Sequence, residues 1–487
     1  MLTLYPYQTK LVAQVRDAMR QGHRSILVQS PTGSGKTVIF THIISEMIKR
    51  GKRALIVTDR VELLTETGGT LQQYGINAAL FTNVNTLPVY GDTVVAMSQT
   101  LRRRLKGHPE YLNHFDVIIL DEAHKAEFNP YFKHSFAGHI LGFTATPFRA
   151  GKQMQLGKQY TRLILGPQVP ELVRDGFLVR DRYYGIGGVD MSGVEVTRFC
   201  DYDEGQMYDK FNKPAIYAGA VENWQRLTPN TLTLGFCVNI MHTVRTCCAF
   251  NDAGIPARFI TSRPTDNLDE YNEAFELWSG DRDSVLGSWK RDGGVLLNAG
   301  ILTTGFNFPP IQTILVNRAT ASLPLWLQIM GRGSRTHAGK DYFNVLDFGD
   351  NAARHGYYNQ QREWSLLHRE PGGGAAAVKE CKGCGAMIYA GQRVCPFCGY
   401  EFPADARRQL VAELAEVDYT STVVPAAENR WYSELERLAE SRGYKQRWVI
   451  HQIFSREGLA GLRLFAKFKG YNSSWVWQQE RFLKIKK

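Results

Sequence analysis

A glycine-rich loop between an apolar run and an apolar helical stretch carries the clearest chemical signal in the chain. Residues 30–37 read Ser-Pro-Thr-Gly-Ser-Gly-Lys-Thr and follow the apolar run Ile26–Gln29. Gly33 and Gly35 let backbone N–H groups close around phosphate oxygens, and the N-terminus of the following helix favours the same anion. The pattern therefore predicts a nucleoside triphosphate site in which Lys36 reaches the β- and γ-phosphates.

The same loop also contains a predicted ligand of Mg²⁺. Thr37 follows the lysine, where a hydroxyl can bind Mg²⁺, and Ser34 belongs to the predicted phosphate cradle. The strict form of the pattern has glycine at the first position, where this chain has Ser30. The order of strand, loop and helix supports the prediction despite this departure.

A second motif, which is acidic, follows the apolar run Phe115–Leu120, where the chain reads Asp-Glu-Ala-His over residues 121–124. Carboxylates at the end of a buried parallel strand lie at the edge of the sheet that also carries the phosphate loop. We expect Asp121 to hold Mg²⁺ through its water shell and Glu122 to orient or deprotonate the attacking water. A surface Asp-Glu turn is the alternative, but the buried strand before it argues against that interpretation.

Two Cys-x-x-Cys-Gly knuckles lie near residue 390, separated by ten residues. Their cysteines are Cys381, Cys384, Cys395 and Cys398. Four thiolates in two tight turns suit a tetrahedral Zn²⁺ ion, and a full set of four protein ligands indicates a structural role. The alternative is a pair of redox-active dithiols. The other four cysteines are predicted to be buried thiols, and they are Cys200, Cys237, Cys247 and Cys248.

Apolar runs alternate with helical stretches in two blocks, which predicts an α/β protein with two parallel-sheet lobes. Predicted strands of the first block are Ile26–Gln29, Ala54–Thr58, Thr93–Met97, Asp116–Leu120 and Ile140–Phe143. Those of the second are Thr231–Cys237, Ala257–Thr261, Val295–Asn298, Thr313–Asn317 and Tyr342–Asp347. The predicted domains are a first lobe at 1–165, a connector at 166–230, a second lobe at 231–370, a hinge and zinc module at 371–403, and a basic helical domain at 404–487.

Most of the net charge of +11 is concentrated at the carboxyl-terminal end. Residues 442–487 contain eleven Lys or Arg, only two Asp or Glu, and nine aromatic residues. Basic residues attract phosphates and aromatic rings can stack on bases, so this segment is typical of a nucleic-acid surface, although most of the rings could equally form a small core. A further basic cluster, Arg102–Lys106, fits either a grip on a strand backbone or a solvated helix face. The chain shows neither a secretory signal nor an apolar run of the ~20 residues that a membrane helix needs.

The motifs together resemble those of superfamily 2 helicases. Besides the two signals above, the matching segments are Leu4–Gln8 (LYPYQ), Thr144–Pro147 (TATP), Ile301–Phe306 (ILTTGF) and Gln328–Arg335 (QIMGRGSR). The resemblance implies two RecA-like lobes that bind ATP and Mg²⁺ between them. It assigns adenine recognition to Gln8, nucleotide binding to Gly305, coupling of ATP to strand binding to Thr144, Thr146 and Gln328, and stabilisation of the γ-phosphate charge to Arg332 and Arg335 from the second lobe.

The Leu-Thr-Thr-Gly-Phe run, Val345–Phe348 (VLDF) and the cysteine module after the second lobe make the chain look most similar, within this superfamily, to RadD-like bacterial helicases and their phage-encoded relatives. That resemblance implies a cytoplasmic protein. The resemblance implies an ATP-dependent helicase or translocase acting on DNA with single-stranded, forked or branched character, in recombination, repair or replication. An RNA helicase, a motor subunit of a restriction-type nuclease and a scaffold with a decayed motor are alternatives. Two departures concern the site: Asn307 where relatives usually carry an acidic residue, and Tyr5 where they often carry arginine.

Overall fold

The computed structural model describes most of the chain up to residue 367 and short pieces beyond it. The described ranges are 3–82, 91–148, 156–185, 189–197, 200–261, 269–303 and 305–367, followed by 378–380, 387–389, 400–401, 415–416, 435, 439, 449–454 and 465. The four cysteines of the predicted zinc module and nearly all of the basic carboxyl-terminal segment lie outside the described residues.

The first lobe is built on a seven-stranded sheet in which all paired strands are parallel. Its strands are β1 Ser25–Gln29, β2 Ala54–Thr58, β3 Ala78–Phe81, β4 Thr93–Met97, β5 Val117–Asp121, β6 His139–Thr144 and β7 Arg162–Leu165. They are arranged in the order β3-β4-β2-β5-β6-β1-β7. Strands of a parallel sheet all end at the same edge, so the residues that follow β1, β5 and β6 converge there.

Helices cover both faces of this sheet. They are α1 Pro6–Arg20, α2 Lys36–Ile48, α3 Val61–Gln73 and α4 Ser98–Leu105, and α5 Val169–Arg174 follows the last strand. Successive residues of β1 face opposite sides, because side chains alternate along a strand. Ile26 and Val28 join the apolar core under α1, α2 and α3, whereas Leu27 joins the core on the other face. Burial on both faces explains the nearly uninterrupted apolar runs in the sequence.

The second lobe repeats this plan. Its strands are β8 Arg180–Gly185, β9 Thr233–Cys237, β10 Ala257–Ile260, β11 Val295–Asn298, β12 Thr313–Asn317 and β13 Tyr342–Asp347. Its helices are α6 Glu204–Phe211, α7 Pro214–Leu227, α8 Ile240–Asp252, α9 Asp269–Trp278, α10 Arg282–Asp292, α11 Leu323–Gly333 and α12 Asn351–His355. The six strands pair in parallel in the order β10-β11-β9-β12-β13-β8.

Two small features follow the second lobe. Strands β14 Val378–Glu380 and β15 Met387–Tyr389 form an antiparallel hairpin. Strand β16 Ala415–Glu416 pairs antiparallel with the outer edge of β8. Residues 1–417 form one compact unit and residues 418–487 another.

The predicted two-lobed parallel α/β fold is confirmed. Three parallel strands were not foreseen from the sequence: β3, β7 and β8. Each lies outermost among the parallel strands, and an edge strand lacks the long apolar run of a strand buried on both faces. The predicted connector, 166–230, contributes β8, α6 and α7 to the second lobe.

The free cysteines and the helices bear on two further predictions. Cys237 and Cys247 are buried as predicted, whereas Cys200 and Cys248 are partly exposed. In the part of the chain that the structure describes, none of the helices has the length and apolar character needed to cross a membrane.

Candidate active site between the two lobes

The phosphate loop is shaped by two glycines in the left-handed region. Gly33 has φ +88° and Gly35 has φ +76°, a conformation that side chains other than glycine rarely adopt. Gly35 also caps α2, whose first residue is Lys36. The Lys36 ammonium donates long hydrogen bonds of 3.4 and 3.5 Å to the carbonyls of Ser30 and Pro31. The loop therefore wraps around its own lysine at the N-terminus of a helix, which is the geometry of an anion site.

Ser30 is incorporated into the loop by its own hydrogen bond. Its hydroxyl lies 2.6 Å from that of Ser34, which in turn donates to the Pro31 carbonyl at 2.7 Å. Both serines are buried. A serine at the first position of the pattern thus has a polar partner inside the loop, and the departure from glycine is accommodated locally.

Gln8 packs under the phosphate loop. Its Nε2 donates to the Ser34 carbonyl at 3.1 Å, and its Oε1 accepts from the Tyr5 backbone N–H at 3.0 Å. A Cβ added at Gly35 would lie 2.7 Å from Nε2, so the loop glycine leaves room for the amide. Gln8 is only 2% exposed. Its described contacts therefore support the loop, and adenine recognition stays a prediction.

An aromatic cluster stands beside Gln8. The Tyr7 hydroxyl donates to the Ser34 carbonyl at 2.7 Å. The ring of Phe177, which follows α5, lies 4.7 Å from that of Tyr5 and 5.0 Å from that of Tyr7. Tyr5 is 52% exposed, so the residue that replaces the arginine of many relatives presents an aromatic surface next to the loop.

Asp121 and Glu122 are buried side by side at the end of β5. Asp121 Oδ1 accepts the Glu122 backbone N–H at 3.0 Å, and Glu122 has φ +51°. Burial and the neighbouring charge of Glu122 raise the pKa of Asp121 to about 7, against the opposing effect of Lys36. Burial acts to raise the pKa of Glu122 as well, but the charges of Lys36 and His124 outweigh it and lower that pKa. The pair forms a concentrated negative site facing the lysine.

His124 links this carboxylate pair to the TATP segment after β6. Its Nδ1 lies 3.5 Å from Glu122 Oε2 and 2.8 Å from the Thr144 hydroxyl. The Thr144 hydroxyl also accepts the Thr146 backbone N–H at 3.1 Å. His124, which completes the Asp-Glu-Ala-His run, had no predicted role. A continuous polar chain thus connects Glu122 with both threonines that the resemblance assigns to coupling.

Arg332, near the end of α11, and Arg335, two residues beyond the helix, donate hydrogen bonds to the loop that contains Gly305. Arg332 donates to the carbonyls of Thr303 and Phe306. Arg335 donates to the Phe306 carbonyl at 2.9 Å and to the Asn307 side-chain oxygen at 2.7 Å. The departure at Asn307 therefore replaces what would be an ion pair by a neutral acceptor.

The lobes meet directly at the phosphate loop. A Cβ at Gly331 on α11 would lie 2.3 Å from Thr32 Cγ2. A Cβ at Gly33 would lie 3.7 Å from Arg335 Cγ. Burial and the charge of Arg335 lower the pKa of Arg332, whereas the first-lobe carboxylates Glu66 and Glu122 act to raise it. The end of α11 thus rests on the phosphate loop, and Arg332 lies within electrostatic range of Glu122.

The structure brings most of the predicted site residues to this single interface. Lys36, Asp121 and Glu122 lie on the first lobe, and Arg332 and Arg335 face them from the second. Thr37 lies in the first turn of α2, and Gln328 is buried on α11. Gly305 has φ +64° in the loop that accepts the hydrogen bonds of the two arginines. The glycine cradle fits a polyphosphate, and the raised pKa of Asp121 marks a carboxylate that a divalent cation would stabilise as the anion. Among the described residues, no cluster of three or more His, Cys, Asp or Glu side chains is placed to hold a metal.

Comparisons with known proteins agree with this geometry. Residues 1–149 match the family described as type III restriction enzyme, res subunit. The chain is 29% identical over 371 residues to a putative ATP-dependent helicase, Irc3, of Saccharomyces cerevisiae, covering 71% of this chain and 51% of that protein. It thus spans about half the length of this yeast relative.

Two solved structures have a similar fold. One is a fragment of a putative HsdR subunit of a type I restriction enzyme from Vibrio vulnificus YJ016, with a TM-score of 0.53 and 21% identity, covering 72% of this chain and 66% of that chain. The other is the ATP-dependent type ISP restriction-modification enzyme LlaBIII bound to DNA, with a TM-score of 0.51 and 16% identity, covering 71% of this chain and 28% of that chain. These two likenesses show that the two-lobed fold is shared.

Proposed function

We propose that this protein is an ATP-dependent nucleic-acid helicase or translocase that acts on DNA. The close approach of the Arg335 side chain to Gly33 carries the proposal, because it brings an arginine of the second lobe beside the phosphate loop of the first. A site divided between two lobes makes hydrolysis depend on their closure, which is how a motor converts ATP turnover into movement along a strand. The likeness to a yeast protein described as an ATP-dependent helicase supports the same function.

Each part of the site has a proposed task in phosphoryl transfer. Lys36 and the loop N–H groups hold the phosphates, Thr37 and Asp121 hold Mg²⁺, which neutralises phosphate charge when bound, and Glu122 accepts a proton from the attacking water. Arg332 and Arg335 stabilise the charge that develops on the transferred group. The polar chain runs from Glu122 to His124 through an ion pair and from His124 to Thr144 and Thr146 through hydrogen bonds, and we propose that it couples the acidic pair to the strand-binding face.

DNA is the proposed partner for two reasons. LlaBIII, one of the structures with a similar fold, was solved bound to DNA. In this chain, α4 begins at the sheet edge that carries the site and exposes Arg102 and Arg103 while burying Leu101 and Leu105. Basic residues on a solvated face can neutralise backbone phosphates without reading the base sequence. We propose further that single-stranded, forked or four-way DNA is preferred.

The polymer dependence of ATP hydrolysis tests this function. ATPase rates of the full chain would be measured without polymer and with single-stranded DNA, duplex DNA, forked or four-way DNA, and RNA. We expect the strongest stimulation by forked or four-way DNA. Stronger stimulation by RNA would indicate that the partner is RNA rather than DNA. If no polymer stimulated ATP hydrolysis by a folded sample, the proposal of a nucleic-acid motor would be refuted.

Lys36→Ala should lower the polymer-stimulated kcat by on the order of 10²–10³-fold, because it removes one preorganised charge from the reacting phosphates. Lys52→Ala is the matched control, since Lys52 forms an exposed ion pair with Asp116 before β2, at the opposite edge of the sheet. Full polymer-stimulated activity of Lys36→Ala would show that the loop has been assigned wrongly.

A motor subunit of a restriction-type nuclease is the second candidate, favoured by the match of residues 1–149 and by the HsdR fragment. Both candidates share the ATP site and differ in whether a cleaving partner is required. Strand cleavage by the purified chain itself would refute a pure motor, and the partner-dependent candidate is tested by whether a nuclease subunit co-purifies with the chain and cleaves DNA in an ATP-dependent manner.

We also propose that Cys381, Cys384, Cys395 and Cys398 hold one structural Zn²⁺. The hairpin of β14 and β15 supports this, because Glu380 pairs with Met387 and the first two cysteines lie between them in the sequence. Two strands joined by a Cys-x-x-Cys-Gly turn are a common way to present two thiolates to one ion.

Metal analysis of the purified, reduced protein should find about one zinc per chain, since four thiolates complete one tetrahedral site. Cys381→Ser should lose most of this zinc, whereas Cys200→Ser, which changes a partly exposed thiol in the second lobe, should retain it. Equal zinc content in both variants, or none in the parent protein, would refute the zinc site.

A further inference from the structure

The side chain of Lys340 forms hydrogen bonds that have no role in the proposed chemistry. Its ammonium donates to three backbone carbonyls at once, those of Gly333 at 2.6 Å, Pro309 at 2.8 Å and Arg335 at 3.0 Å. An ammonium has three N–H donors, so these bonds use its full capacity. The side chain is partly buried, and burial together with the charge of Arg335 lowers the pKa of Lys340 to about 7.

A tight turn brings the lysine back to this position. The Lys340 backbone N–H donates to the His337 carbonyl at 3.0 Å, and Gly339 has φ +74° at the third position of the turn. That positive φ needs glycine, which explains the Ala-Gly-Lys sequence after the arginine segment. The turn reverses the chain between α11 and β13, so the lysine points back toward the end of the helix.

The three carbonyls belong to the segments that hold the proposed arginine finger. Gly333 is the last residue of α11, Arg335 is the finger itself, and Pro309 follows the loop whose Phe306 and Asn307 accept hydrogen bonds from Arg335. One ammonium thus fixes the backbone of the finger relative to the loop that orients its guanidinium. The antiparallel bridge between Leu178 and Arg335 restrains the same backbone on the side of the segment after α5, and Lys340 restrains it relative to the loop around Pro309.

We infer that Lys340 is a positioning residue for ATP hydrolysis. It fixes the position of Arg335 because its ammonium connects the end of α11, the backbone of Arg335 and the loop after Gly305. This inference rests on the proposed function. A displacement of about 1 Å of a catalytic group can cost ~10²-fold in rate, so a side chain that never touches the nucleotide can still control kcat.

Lys340→Met tests the inference, because methionine keeps most of the length of the side chain, which becomes one heavy atom shorter, and removes all three donors. We expect kcat of the polymer-stimulated ATPase to fall roughly 10- to 100-fold, with KM for ATP and the affinity for a fluorescent non-hydrolysable ATP analogue changed less than about threefold. Lys340→Gln keeps two donors and should lose less. Lys52→Met, which removes an exposed lysine at the opposite edge of the first sheet, should leave kcat unchanged.

A double-mutant comparison separates positioning from a merely structural role. If Lys340 acts through Arg335, adding Lys340→Met to Arg335→Ala should cost almost nothing further, whereas independent effects would multiply. Multiplying effects, or an unchanged kcat in Lys340→Met while the parent chain is active, would overturn the inference and leave the proposed function intact. Failure of both Lys340 variants to fold would also overturn it, because the residue would then be structural. An inactive parent chain would instead refute the proposed function.

Discussion

Arg335→Ala should reduce the polymer-stimulated kcat by ~10³-fold or more, since an arginine supplied across a cleft contributes ~10³–10⁵ in related phosphoryl-transfer enzymes. Arg335 is suited to this because its side chain lies against Gly33 while its guanidinium is held by Phe306 and Asn307. Binding of a fluorescent ATP analogue should change by less than about tenfold, because the finger acts mainly on charge that develops in the transition state. Single-turnover hydrolysis at saturating DNA is the appropriate measurement.

Two variants make this result specific. Arg335→Lys keeps the charge but loses the planar fork, so it should restore only part of the activity. Arg291→Ala removes an exposed arginine of the same lobe that pairs with Asp292, and it should behave like the parent protein. If Arg335→Ala and Arg291→Ala were equally active, Arg335 would have no share in the chemistry and its assignment as the arginine finger would have to be abandoned.

Glu122→Gln should lower kcat by roughly 10²–10⁴-fold, the range expected when a general base is removed. Glutamine has nearly the same size as glutamate and keeps a polar side chain beside His124, but it cannot accept a proton from water. Glu122 is buried between Asp121 and His124, so little else changes at this position. Because ATP is still bound and not hydrolysed, DNA binding in the presence of ATP should be retained or strengthened.

The control for this variant is Glu110→Gln, which neutralises an exposed carboxylate beside His108 in a surface turn. It should hydrolyse ATP at the parent rate. Loss of ATP binding in Glu122→Gln would indicate that the residue holds the metal rather than the water. Retention of full hydrolysis would exclude it as the base and shift that role to another group.

The local chemistry of the site was readable from the sequence because each motif is a continuous segment. The strand, glycine loop and helix around Lys36 depend on neighbouring residues, and so does the acidic run that ends β5. In a parallel sheet both must reach the same edge, so their convergence also follows from the pattern. The strands between β1 and β13 that are buried on both faces were predictable for the same reason.

The tertiary structure decided what the second lobe does at the phosphate loop. The close approach of Gly331 to Thr32, the bond of Arg335 to Asn307 and the bond of Lys340 to the Pro309 carbonyl join residues far apart in the chain, and no local sequence pattern predicts them. The edge strands β3, β7 and β8 were missed because half-buried strands carry weaker apolar signals. The sequence by itself thus determined which groups could bind and hydrolyse a nucleotide, and only the packing of one lobe on the other determined which of them meet, because contact across an interface depends on shape rather than on sequence spacing.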